Sequence, residues 1–94
     1  MIKIKDNFYV RVSELNFTAL EKRKAIKKNG EEVDSYKTIG YYGSLINAIK
    51  GIREYKIEIE LDTEEDIELQ DAIDIIDRIK EEFKAVLERH IKEG

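Results

Sequence analysis

The chain has no cysteine, no proline, no tryptophan and a single histidine, His90. Without cysteine there is neither a disulfide framework nor a thiolate metal site, and one imidazole leaves zinc without the ligands it favours. Neither proline nor a low-complexity stretch interrupts the chain to form a linker. Its 94 residues therefore predict one α+β domain with one modest core. Apolar runs are a few residues long, far short of the roughly 18 that span a bilayer, and Met1-Ile2-Lys3-Ile4-Lys5 is not the apolar core of a signal peptide. These absences predict a cytoplasmic protein, neither secreted nor membrane-embedded, with no metal and no cofactor.

What is present is charge, unevenly placed. Residues 1–53 carry 11 Lys+Arg against 6 Asp+Glu, a net +5, while residues 54–94 carry 6 against 15, a net −9. Close to this division, a β-patterned part, 1–43, gives way to a helical part, 44–94. A basic half that grips a polyanion and an acidic half that imitates one are both consistent with this split.

Ile2 and Ile4 alternate with lysines, and after Asp6-Asn7 the residues Phe8, Val10 and Val12 alternate with Tyr9 and Arg11, so two strands meet at a tight turn or bulge. Ser13-Glu14-Leu15-Asn16 is the next break. Asn29-Gly30, between two further runs, predicts a hairpin of 17–27 with 32–42. A two-residue turn there sets Leu20 opposite Ile39, Ile26 opposite Val33 and Lys22 opposite Lys37. Like charges so opposed cost stability.

Ser44 is suited to cap a helix over 44–60, where Leu45, Ala48, Ile49, Ile52, Tyr55 and Ile59 form one stripe. Alternation across 55–61 also permits a further strand, and Gly51 marks a close crossing by another element. Beyond the acidic residues 62–66, Leu69, Ala72, Ile76, Ile79, Phe83, Val86 and His90 follow a 3-4 spacing, widened by Ile73, Ile75, Leu87 and Ile91. This predicts one long helix over 68–92. At about 1.5 Å per residue it reaches roughly 37 Å. An antiparallel sheet of three or four strands packed on two helices leaves part of that stripe uncovered, which predicts a homodimer or higher oligomer.

No side-chain pattern predicts an enzyme. No nucleophile stands beside His90, there is no glycine-rich phosphate loop, and Asp62 and Asp66 lack the glycine turn and bidentate glutamate of a calcium loop. Two sets of residues carry binding chemistry instead. Lys22, Lys24 and Lys37 with Tyr36 make an anion or nucleic-acid site, competing with the bland reading of a solvated hairpin whose lysines guard a sheet edge. Asp74, Asp77, Glu81 and Glu88 form a carboxylate row on the long helix, interrupted by Arg78, Lys80, Lys84 and Arg89, so an ordinary solvated face competes with a partner surface. Tyr41 and Tyr42, bracketed by Gly40 and Gly43 at the strand-to-helix junction, suit a contact surface, unless one packs under the helix and the other covers the sheet edge.

On Asn7-Phe8-Tyr9-Val10-Arg11-Val12, on Asn16-Phe17-Thr18 and above all on the YKTIGYYGSL segment at 36–45, the chain resembles a family of small, functionally uncharacterised proteins encoded by phages and prophages of low-GC Gram-positive bacteria. The resemblance covers nearly the whole chain and carries no catalytic residue. It implies a viral accessory context, in which the leading expectation is a non-catalytic anti-defence inhibitor, of the anti-CRISPR kind, that binds a host protein through the carboxylate row, the Tyr41-Tyr42 junction, or both. The alternative is a nucleic-acid or nucleotide-binding module using the basic hairpin and the tyrosines.

Overall fold

The computed structural model describes residues 1–93, with side chains through Arg89. The packing roles read for His90 and Ile91 fall outside the described side chains. Four strands, β1 (Ile2–Lys5), β2 (Phe8–Ser13), β3 (Asn16–Ile26) and β4 (Glu32–Tyr42), form one antiparallel sheet in the order β1-β2-β3-β4, followed by α1 (Leu45–Leu61) and α2 (Leu69–Glu93). Asp6-Asn7 is a tight turn accompanied by a bulge between Lys3 and Lys5. Asp6 and Glu14 both take positive φ, 52° and 42°, a conformation an Asp side chain tolerates better than a Glu.

The β3–β4 hairpin is where the expected register fails. Lys27 N–H donates to Glu31 O at 2.9 Å and Gly30 N–H donates to Lys27 O at 2.9 Å, so Lys28, Asn29 and Gly30 form a three-residue turn with Gly30 at φ 84°. The extra residue shifts the pairing by one. Lys22 lies opposite Tyr36, Lys24 opposite Asp34, Glu21 opposite Lys37 and Ile26 opposite Glu32, and the supposed Lys22–Lys37 conflict does not arise. Leu20 faces Thr38 while Ala19 faces Gly40, leaving Ile39 as the added residue of a bulge.

Both helices lie on one face of the sheet. Phe8, Val10 and Ala19 point from the strands into a core completed by Ala48, Ile49, Ile52 and Ile57 of α1 and by Ile79 and Phe83 of α2, both fully buried. Residues 55–61 are helical, and Ser44 Oγ caps α1 by accepting from Asn47 N–H at 3.1 Å. Ile59, expected in the core, is 44 % exposed and Ile57 is buried instead. The buried stripe of α1 drifts because its first turns meet the sheet and its later turns meet α2, to which it is tied by Arg78–Glu60 and by Lys56 Nζ. The latter reaches Glu82 Oε2 at 3.0 Å and Asp6 Oδ2 at 3.6 Å. The stripe of α2 is spent mainly on its own chain. Among the described side chains of this stripe, Leu69 and Ile73 at its start are the exposed ones.

Gly51 marks a crossing by Tyr42. A Cβ built at Gly51 would stand 2.1 Å from the Tyr42 hydroxyl, and one at Gly40 would stand 2.8 Å from the same atom, so the ring sits between two backbones with no side chain on either. In an ordinary helix interior alanine is better than glycine by about 1 kcal/mol. Here the expected order is reversed: Gly51→Ala lowers stability by about 1–3 kcal/mol through overpacking. Urea melts of Gly51→Ala, Tyr42→Leu and the double variant test this, the double variant losing much less than the two single losses added together.

Candidate functional site

With both helices on one side, the second face of the sheet has no covering layer among the described residues. Residues directly opposite across antiparallel strands share a face, so the pairing places Lys3, Tyr9, Leu20 and Thr38 on this open side, together with Arg11, Thr18 and Tyr41, then Lys22 with Tyr36, and Lys24 with Asp34. Leu20 is 2 % exposed although no helix lies over it. Tyr9 of β2 and Tyr36 of β4 meet edge-to-face across β3, ring centroids 6.0 Å apart, and roof it over. Lys22 Nζ stands 6.0 Å from the Tyr9 ring centroid. The result is a self-packed platform of three tyrosines among cations, with Tyr41 projecting at 71 % exposure.

Asp34 places a carboxylate on this face. Its carboxylate accepts from Lys24 Nζ at 2.8 Å and lies 3.3 Å from Lys22 Nζ. These contacts, Lys24's hydrogen bond first, hold the Asp34 carboxyl below its ordinary range, and Asp34 in turn raises Lys24.

The sequence-read sites are redistributed. Lys22, Lys24 and Tyr36 stand together on the open face, but Lys37 does not join them, because the one-residue shift sends it to the helix side, 5.4 Å from the Tyr55 ring centroid. Tyr41 and Tyr42 part company: the first is on the open face, and the second, partly buried, packs between Gly40 and Gly51. Asp74, Asp77, Glu81 and Glu88 are all exposed on α2, Asp74 accepting from Gln70 Nε2 at 3.0 Å, and Arg78, Lys80, Lys84 and Arg89 are exposed among them.

One constellation escaped the sequence reading. On the helix side of the hairpin, Glu21 Oε1 accepts from Arg23 Nε at 2.7 Å and from the Tyr55 hydroxyl at 3.0 Å, and Arg23 Nη2 donates to the same hydroxyl at 3.1 Å. Glu21's hydrogen bond is the main cause of a raised Arg23 pKa. These groups border an open cleft of about 800 Å³ between the hairpin and the C-terminal half of α1. The overlooked signal was Glu21 and Arg23 at alternate positions, continuing the inward parity of Ala19 where a covered strand would carry apolar residues.

Among the described residues no group of three or more His, Cys, Asp or Glu side chains is placed to hold a metal ion, and no helix is long and apolar enough to cross a membrane. Compared with protein-family models, curated proteins and solved structures, the chain matches none.

The Asp34 cluster makes a pH prediction. A carboxyl lowered in the folded state stabilises the fold above the ordinary carboxylate range, and that contribution is lost as pH falls through the lowered value. At low ionic strength the stability advantage of the wild type over Asp34→Asn is therefore expected to shrink as pH is taken below about 4. Added salt should shrink it at neutral pH too, because the pair is exposed. A gap that stays constant from pH 7 to pH 2 in thermal melts would contradict the assignment.

Proposed function

We propose that the protein is a non-catalytic binding module whose open sheet face receives single-stranded nucleic acid. The observation that carries this reading is the platform itself: Tyr9, Tyr36 and Tyr41 with Lys3, Arg11 and Lys22 on a face that no other element among the described residues covers. Aromatic rings on an open four-stranded sheet offer stacking surfaces to unpaired bases, and neighbouring cations take the phosphates. A duplex fits less well, since its bases are already stacked and hidden. Asp34 limits the charge of the face by holding Lys22 and Lys24.

Fluorescence anisotropy with labelled mixed-sequence 12-mers of single-stranded DNA and RNA tests the proposal. Three phosphate contacts through Lys3, Arg11 and Lys22 give an expected slope of log K against log salt of about −2. Tyr41→Ala is expected to cost about 1–3 kcal/mol of binding and Arg11→Ala to make the slope shallower. Asp34→Asn, which frees two lysines, should bind more tightly than the wild type. Absence of binding at low salt rules the reading out.

A second reading, the phage anti-defence inhibitor that docks on a basic host factor, is supported by the exposure of Asp74, Asp77, Glu81 and Glu88 along one helix. The exposed cations among them thin the negative field, which is why the sheet face takes precedence. In this reading Asp77→Lys combined with Glu81→Lys abolishes capture of a basic protein from host lysate while leaving oligonucleotide binding intact.

A further inference from the structure

The cleft between the β3–β4 hairpin and α1 is built differently from the sheet face, and its two walls differ from each other. On the hairpin wall, Glu21 is occupied by Arg23 and Tyr55, so it does not pair with Lys37 although the two are direct neighbours across the strands. Lys37 consequently forms no ion pair among the described residues and stands over the Tyr55 ring. Arg23, half exposed, spends two of its five N–H groups on Glu21 and Tyr55 and presents the other three. Two cations thus flank one aromatic ring, each oriented by a contact that leaves donors free.

The floor and the far wall belong to α1. Ile59 and Leu61 supply apolar surface, and the exposure of Ile59 is exposure into this cleft. Glu58 and Asp62 border the same space at the C-terminal end of the helix, where the helix dipole is negative. An anion is therefore repelled from the helix side and attracted to the hairpin side, while an apolar body beside it finds Ile59, Leu61 and Tyr55.

We propose that this cleft binds a small amphipathic anion, a carboxylate or phosphate head on an apolar or aromatic body, with the head against Lys37 and Arg23 and the body over Ile59 and Leu61. This inference does not depend on the sheet face, which lies on the opposite side of the sheet. A fatty carboxylate and a nucleoside monophosphate share the required chemistry.

The probe is 8-anilinonaphthalene-1-sulfonate, an anionic head on an aromatic body, titrated into the folded wild-type protein and followed by its fluorescence. Saturable binding is expected, weakened at least five-fold by Lys37→Met and by Ile59→Asp, and strengthened two- to three-fold by Glu58→Gln. Lys80→Met, an equal loss of charge elsewhere on the surface, should leave it unchanged. Thermal melts confirm that each variant is folded, and both key positions are exposed. Competition by decanoate and by adenosine monophosphate identifies which body is preferred, and competition by inorganic phosphate measures the head alone. The proposal is overturned if the dye does not bind the native protein, if Lys80→Met weakens binding as much as Lys37→Met, or if inorganic phosphate competes as well as both amphipathic anions. Loss of oligonucleotide binding in Tyr41→Ala with the dye affinity intact would show two separate sites. Failure at one would then leave the other standing.

Discussion

Two helices cover one face of a four-stranded sheet and no more. Everything else in this molecule follows from the choice of face. The inward positions of β2 and β3 carry Phe8, Val10 and Ala19, and the two helices bring Ile49, Ile52, Ile79 and Phe83 to meet them. The product is a slab of 42 × 41 × 18 Å. Its accessible area of 6881 Å² exceeds the about 5,600 Å² typical of a compact monomer of this mass, because the open face and the projecting hairpin stay in solvent. Since the basic half of the chain makes the sheet and the acidic half supplies most of the helical layer, the division of charge along the sequence becomes a division between two layers.

Much of this was legible because it depends on local chemistry. Period-two runs around Phe8, the turn-forming Asn29-Gly30, the Ser44 cap and the 3-4 spacing through Phe83 each carry their own physical cause, and the four strands and two helices follow. What stayed hidden required knowing which elements would touch. Ile57 and Ile59 are equally apolar, yet the first joins the core and the second is exposed at the cleft. Tyr41 and Tyr42 are adjacent and chemically identical. Their fates diverge on strand parity alone, Tyr41 opposite Thr18 on the open face and Tyr42 opposite Phe17 beneath α1.

The candidate sites were harder to read than the fold for the same reason. The sequence singled out lysines by their density, but density does not say which face a lysine joins. Lys22 and Lys24 share one carboxylate on one side of the sheet, while Lys37, on the other, is kept from its cross-strand neighbour by Arg23 and Tyr55. Carboxylates read as a surface row on α2 are exposed there together with four cations, of which Arg78 turns to Glu60 of α1. Charge that is counted along a chain becomes a field only after each group's nearest counter-ion is known.

The pairing of β3 with β4 decides both surfaces at once. With a two-residue turn and no bulge, Lys22 would meet Lys37 on the open face, and Tyr36 would turn inward beside Arg23. The three-residue turn closed by Gly30 moves residues 32–38 by one position, and Ile39 absorbs the difference so that Gly40, Tyr41 and Tyr42 keep the original pairing. A one-residue shift exchanges the faces of every side chain it touches. It delivers Tyr36 to the platform beside Tyr9 and Lys37 to the cleft beside Tyr55, while Tyr42 still fits between its two glycines. Turn and bulge are therefore one device: an insertion entered at one end of β4 and cancelled near the other, with the residues between them assigned to opposite sides of the sheet.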